Sequence, residues 1–458
     1  MIARIIRGPI LNPTPEGSVD YFAEGAIAVD KWNIITFAGE WSELQKELGA
    51  ARPPFESAHG VICPPFLDAH IHVPQHPIRG HFVDGIEGNP PEGRLLAGLL
   101  KNVFPAEGKF ADTNYARRII NEFSADTLSQ GVVGGAAYLT VHADAADAAF
   151  ESLSPFWSAG VVLMNQNCPE YLRNDEWVLA RLGSMAQRYG RRVIVTDRFA
   201  VAVDSTLRTL ACAEAARFGL RTQTHLNEQR AEKRFVEQTL YPTAGSYTNV
   251  YLKDGLLDHE AILAHCIQMT PAEFDTVAEK KCVIAHCPTS NTLLGSGVMP
   301  LDQVVARGIE WAICTDVGAS PTTSMLNEMA QFLKVHAGRS SHATPSTALY
   351  RTTLAPAKIL GLDKQLGRFA PGMPLSYCKI DAGADLKDSH TADEAIVNAL
   401  LGGHVTPPHA EMDRLAETGL DAGEALGVLE GDVRRTTYAL EKKILTVTIA
   451  GREVFRRA

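Results

Sequence analysis

His70 and His72 flank Ile71 at the end of Phe66-Leu67-Asp68-Ala69-His70-Ile71-His72. Residues i and i+2 of an extended segment point to the same side, so both imidazoles can reach one metal ion. His225 ends Thr222-Gln223-Thr224, His265 ends Leu263-Ala264, His286 ends Ile284-Ala285, and Asp316 ends Ile313-Cys314-Thr315. A single histidine is most often a hydrogen-bonded core or surface residue. A series of them at successive strand ends, joined by an aspartate, has no such structural reason and reads as a metal site. Imidazoles and a carboxylate without a thiolate suit zinc before iron, manganese or nickel. Zinc lowers the pKa of its water to near 7, so the chemistry of such a site is hydrolysis.

The elements that must carry these residues are legible as a rhythm. From about 65 to 365, apolar strand-like runs alternate with helical stretches, the βα pattern of a parallel sheet covered by helices. The runs are Val61-Ile62, Val132-Val133, Val161 to Met164, Val193 to Thr196, Arg221 to Thr224, Ala261 to Ala264, Cys282 to Ala285 and Trp311 to Cys314. Eight strands over roughly 300 residues predict an α/β fold, a (β/α)8 TIM barrel, with its polar residues on the C-terminal rim where such barrels place their active sites. Residues 1–64 hold short β-rich runs, and 366–458 return to that texture at Ile444 to Ile449 and Glu453-Val454-Phe455. The two ends predict a small β-sandwich-like satellite domain flanking a 65–365 barrel, with the least legible part of the C-terminal extension at 366–440.

Composition narrows the function. Among 458 residues, 45% are hydrophobic and 21% charged, enough for one large domain and a small one. The formal net charge of −10 argues against polyanion binding, so no nucleic-acid partner is expected. No window has the uninterrupted apolar length of a membrane span, and Met1-Ile2-Ala3-Arg4 leads into Asn12-Pro13-Thr14-Pro15 without a signal-peptide core. Eight cysteines lie scattered without a C-x-x-C pair, which predicts reduced thiols and a cytoplasmic protein. The H-x-E with P-C-x-x-C signature of the cytidine-deaminase type is absent.

With these segments in view, the chain resembles the amidohydrolase superfamily and, within it, the guanine deaminases. The resemblance is carried by Phe66 to Gln75, Phe104-Pro105-Ala106-Glu107, Thr196-Asp197-Arg198-Phe199, Gln223 to Glu228, Tyr247 to Tyr251, Leu263 to Cys266, His286 to Asn291 and Cys314 to Gly318. H-x-H alone marks the superfamily. The Pro-Gln after it, the Arg-Phe after the fourth strand and the His-x-x-Glu after the fifth mark the narrower group. The resemblance implies one zinc per chain, held by His70, His72, His225 and Asp316, because Val193 to Arg198 offers no bridging lysine. It implies that His265 acts on the attacking water or the substrate, that His286 supports the site from behind, and that Arg198 and Gln75 hydrogen-bond a purine while Phe199 packs near the base.

The implied reaction is hydrolytic deamination of guanine to xanthine and ammonia. It needs proton carriers for the ring nitrogen and the departing amine. Glu228, three residues beyond His225, and Asp316 are the natural ones. A nucleobase substrate and a homodimer are expected. The alternative is a related aminohydrolase of the same fold acting on another purine, a pterin or an s-triazine. Two stretches depart from the family pattern: Ala319-Ser320-Pro321 after Gly318, where Pro321 stiffens the loop, and Gly367 to Tyr377 at the entry to the last sheet.

Overall fold

The computed structural model describes residues 2–49, 53–57, 59–383, 389–407 and 422–457. Part of the expected C-terminal extension, 384–388 and 408–421, lies outside the described residues.

The chain opens with strands β1 (Arg4–Pro13), β2 (Val19–Val29), β3 (Ile35–Glu40), β4 (Phe55–Ser57) and β5 (Val61–Cys63). Nine parallel segments follow: β6 (Phe66–His72), β7 (Val132–Tyr138), β8 (Trp157–Gly160), β9 (Val162–Leu163), β10 (Ile194–Asp197), β11 (Arg221–Leu226), β12 (Ile262–His265), β13 (Val283–His286) and β14 (Trp311–Ile313). The chain then returns to the first sheet with β15 (Tyr377–Ile380), β16 (Ile444–Ile449) and β17 (Arg452–Arg456).

Strands from both ends form one sheet in the order β17-β16-β15-β5-β1-β2-β3, with β4 beside β1. Period-2 alternation builds its packing. Ile6, Ile27 and Val29 share one buried cluster with Ile62, Phe369 and Leu375, whereas Ile5, Ala26 and Ala28 fall in another with Leu44.

The parallel strands form two arcs, β6-β7-β8 and β9-β10-β11-β12-β13-β14, in a TIM-barrel-like α/β fold. β8 and β9 are one run broken at Val161: β8 pairs with β7 and β9 with β10, and a parallel bridge joins Ala159 to Val193. At the other end of the arcs, Asp316 N donates to His70 O at 3.0 Å and His72 N to Val317 O at 2.9 Å. Small side chains alternate with large ones along these strands. Ala264, Ala285, Ala312 and Cys314 lie in one cluster with Ala69 and Ala136, while Leu263, Ile284, Trp311 and Ile313 join the larger core shared with the helices.

One expected strand is corrected. Val61-Ile62 does not begin the barrel; it lies in the terminal sheet, antiparallel to β15, with Val61 opposite Ile380. Pro64-Pro65 follow it, lack backbone donors and end that ladder, and the chain re-enters extended structure as β6, parallel to β7. His70 and His72 lie in β6, the extended segment expected to carry them.

Candidate active site

The strand ends converge on one pocket lined by His72, Gln75, Arg198, Phe199, His225, Glu228, His265 and Asp316. Several of the turns that aim these side chains are left-handed: Asn227, His265, Cys266 and Asp316 have φ of 52°, 72°, 51° and 54°. For non-glycine residues this conformation costs about 1–3 kcal/mol each and persists only where neighbours enforce it. Here His265 Nδ1 meets Asn291 Oδ1 at 2.9 Å, and Asp316 accepts from Ser290 Oγ at 2.6 Å.

His70, His72, His225 and Asp316 place one donor atom each within 4.8 Å of one another. Asp316 Oδ1 is 3.3 Å from His70 Nε2 and 3.2 Å from His72 Nε2, and His225 Nε2 is 3.3 Å from His72 Nε2. Donors about 2.0–2.1 Å from a tetrahedral zinc lie about 3.3 Å apart, so this spacing fits. Two further observations fit a metal. His70 Nε2 is buried without a hydrogen-bond partner. His225 Nδ1 donates to Arg198 O at 2.6 Å, the second contact that leaves Nε2 with its lone pair for an ion. Burial drives His72 down to about 3 and His70 and His225 below their usual range, which keeps all three rings neutral, the ligand form. Burial alone would raise Asp316, but its contacts with His70 and His72 hold it well below the ordinary carboxylate range.

Glu228 is its counterpart of opposite character. Burial, with the Asp316 charge adding to it, pushes this carboxyl up to about 8. It accepts from Ser296 Oγ at 3.0 Å, and its Oε2 lies 3.4 Å from His265 Nε2. Its backbone N–H donates to Glu232 Oε2 at 3.0 Å, as does that of Gln229 at 3.1 Å, so the loop after β11 is pinned by a carboxylate one turn ahead. An acid that holds its proton at neutral pH stands beside a carboxylate that does not, an arrangement suited to proton transfer.

Gln75 follows β6 in the turn Val73–Ile78, and Arg198 and Phe199 follow β10. Gln75 Oε1 accepts from Gly318 N at 3.3 Å while its Nε2 faces Glu107 Oε1 at 3.0 Å. Arg198 Nη1 donates to the same oxygen at 2.6 Å. His286 stands apart from the four donors: its Nε2 lies 3.1 Å from His336 Nε2, and it packs against Trp311 and Phe332.

Residues not singled out from sequence complete the pocket. Phe82, Leu95, Leu99 and Leu294 form its apolar wall. Leu95 N donates to Gln229 Oε1 at 3.1 Å, which holds that cover to the barrel. Ser290 and Asn291 stood in a matched segment without an assigned part, as did Glu107. Nothing in local spacing marks the cover, since its contacts come from far along the chain.

Residues 61–376 match the amidohydrolase family. The chain belongs to that family. This amidohydrolase is 30% identical over 384 residues to the guanine deaminase of Escherichia coli (strain K12), covering 81% of this chain and 85% of that one. It is 33% identical over 366 residues to a probable guanine deaminase of Deinococcus radiodurans, covering 77% and 81%. A solved structure of E. coli guanine deaminase superposes with a TM-score of 0.77 at 26% identity, over 99% of each chain.

Proposed function

We infer that this chain hydrolyses guanine to xanthine and ammonia. The observation that carries the reading is a cluster of four metal donors, three of them lining one pocket with a carboxyl raised to about 8 and a guanidinium beside a glutamine amide. The guanine deaminases 30–33% identical to it over most of their length support the substrate.

His70, His72, His225 and Asp316 are the residues that would hold zinc, which when bound lowers the pKa of water to near 7 and so supplies the nucleophile. The chain's own groups do the rest. Arg198 offers N–H donors to the C6 oxo group, and Gln75, its amide orientation set by Gly318 and Glu107, lies along the same polar edge. Phe199 packs near the base, its ring 6.4 Å from that of His225. Attack at C2 moves an electron pair onto N3, which must take a proton, and the amine must take another to leave as ammonia. Glu228 gives the one proton it holds to N3, the proton that Asp316 takes from water passes to the amine, and the hydroxyl proton at C2 returns to Glu228 as the carbonyl forms and ammonia leaves. His265, with Nδ1 against Asn291, turns Nε2 toward Glu228 and the attacking water, and Asp316 accepts the water's proton. The two arcs of strands then act as one closed eight-stranded barrel with this pocket at its C-terminal mouth.

Ammonia release from a panel of guanine, 8-oxoguanine, isoguanine, adenine, cytosine, pterin and ammeline tests the reading. Guanine is expected to give the highest kcat/KM. Preference for pterin or ammeline would transfer the site to the related aminohydrolases.

A further inference from the structure

We propose that Glu107 is a positioning residue that sets the preference for an oxo-purine by fixing Arg198 and Gln75 together. One carboxylate oxygen, Glu107 Oε1, accepts from Arg198 Nη1 at 2.6 Å and from Gln75 Nε2 at 3.0 Å. All three residues are at least 96% buried. Glu107 does not line the pocket, whereas Arg198 and Gln75 do. Its carboxylate acts through them.

The segment Phe104-Pro105-Ala106-Glu107 is built for this. It is the start of a helical turn, Phe104–Gly108, in which Pro105 presets the backbone. Residues i and i+3 of such a turn share a face. Phe104 and Glu107 both use that face on Arg198: Glu107 pairs with Nη1, and the Phe104 ring lies 6.0 Å from the guanidinium carbon. Two consequences follow from charge and direction. A guanidinium taken out of water needs a counter-charge, and Glu107 supplies it from outside the pocket lining. An ionised carboxylate can only accept, so both partners must present hydrogens to it. Gln75 Nε2 therefore faces Glu107 and Oε1 faces Gly318 N, which settles the amide orientation. The purine meets guanidinium N–H donors and an amide of fixed direction, a pattern that matches a ring oxo group beside an N–H. A ring lacking the oxo group gains nothing from it.

The inference rests on guanine as substrate, and its test separates the two. Guanine and 2-aminopurine, which lacks the C6 oxo group, are compared for the parent, Glu107→Gln, Phe104→Leu, Arg198→Ala and Glu107→Gln/Arg198→Ala, with zinc content and thermal unfolding measured on each. Exchanging a charge-assisted bond for a neutral one is expected to lower kcat/KM for guanine about 10-fold in Glu107→Gln. The same variant should move 2-aminopurine by less than about 2-fold, and should cost guanine little more once Arg198 is gone, because coupled residues are not additive. Phe104→Leu should show the same selectivity with a smaller loss, and it stands in if Glu107→Gln does not fold. Equal losses on both substrates, additive losses in the double variant, or unchanged guanine turnover would each overturn the positioning role while guanine deamination stands. A parent chain that does not deaminate guanine sinks both.

Discussion

At the scale of single residues, the site is a set of groups whose ionisation is decided by what surrounds them. Glu228 and Asp316 are both buried acids in one pocket, yet burial raises the first to about 8 while imidazole contacts hold the second well below its usual range. The proposed division of labour between proton donor and proton acceptor comes from that contrast. Glu228→Gln keeps the shape and the four metal donors but removes the transferable proton. Turnover of guanine is expected to fall about 10²- to 10⁴-fold at unchanged zinc content. Steady-state rates with elemental analysis check it, and near-normal turnover in zinc-replete protein would return Glu228 to a structural part. The histidines and Asp316 were legible because their spacing follows strand ends. Glu107 was not, since its partner Arg198 is 91 residues away and no local period reports that contact.

At the scale of elements, loops that aim site residues are fixed by buried ion pairs beneath them. Arg208, fully buried in the helix Ser205–Phe218, donates to Asp197 Oδ2 at 2.7 Å, Asp254 Oδ2 at 2.6 Å and Val203 O at 2.6 Å. Asp197 immediately precedes Arg198, and its Oδ1 accepts from Thr224 Oγ1 at 2.8 Å, next to His225. Tyr251 OH extends the network, donating to His225 O and receiving Ala200 N, each at 2.9 Å. The ends of β10 and β11 are thus tied to one cation. Arg208→Met leaves two carboxylates buried without it, at a cost of about 3–5 kcal/mol. Urea unfolding is expected to show that loss, and a change under 1 kcal/mol, roughly the worth of a surface pair, would mean that the pairs carry little. Strand reading from sequence succeeded where runs were long or ended in polar residues, as at β10 to β14. It failed at Val61-Ile62, because a three-residue apolar strand looks alike in either sheet and only its partners separate them.

At the scale of the whole molecule, the terminal sheet, the barrel strands and the C-terminal helix lock one another. β15 runs between β5 and β16, so residues near the start and the end of the chain share one sheet. The helix Ala422–Leu440 docks on Met325–His336 through Lys334, which donates to Asp432 Oδ2 at 2.8 Å and Thr436 Oγ1 at 2.7 Å. Within this frame the four donors come from β6, the end of β11 and the loop after β14, so a bound ion joins segments remote in sequence. One zinc per chain is expected by elemental analysis, since a single cluster of this kind is found among the described residues and β10 ends in Asp197, followed by Arg198, with no lysine. Its removal by chelation should lower the thermal midpoint, because a ligand that binds only the native state stabilises it. Two ions per chain, or an unchanged midpoint on removal, would contradict the single shared centre. The sequence by itself determined the donor types, the βα order and the strand ends that carry them, because side-chain direction along one strand follows from local periodicity. Only the tertiary structure decided which carboxylate backs Arg198, which residues cover the pocket, and which sheet the third to last residue before Pro65 and its neighbours belong to, because those outcomes depend on contacts across the whole chain.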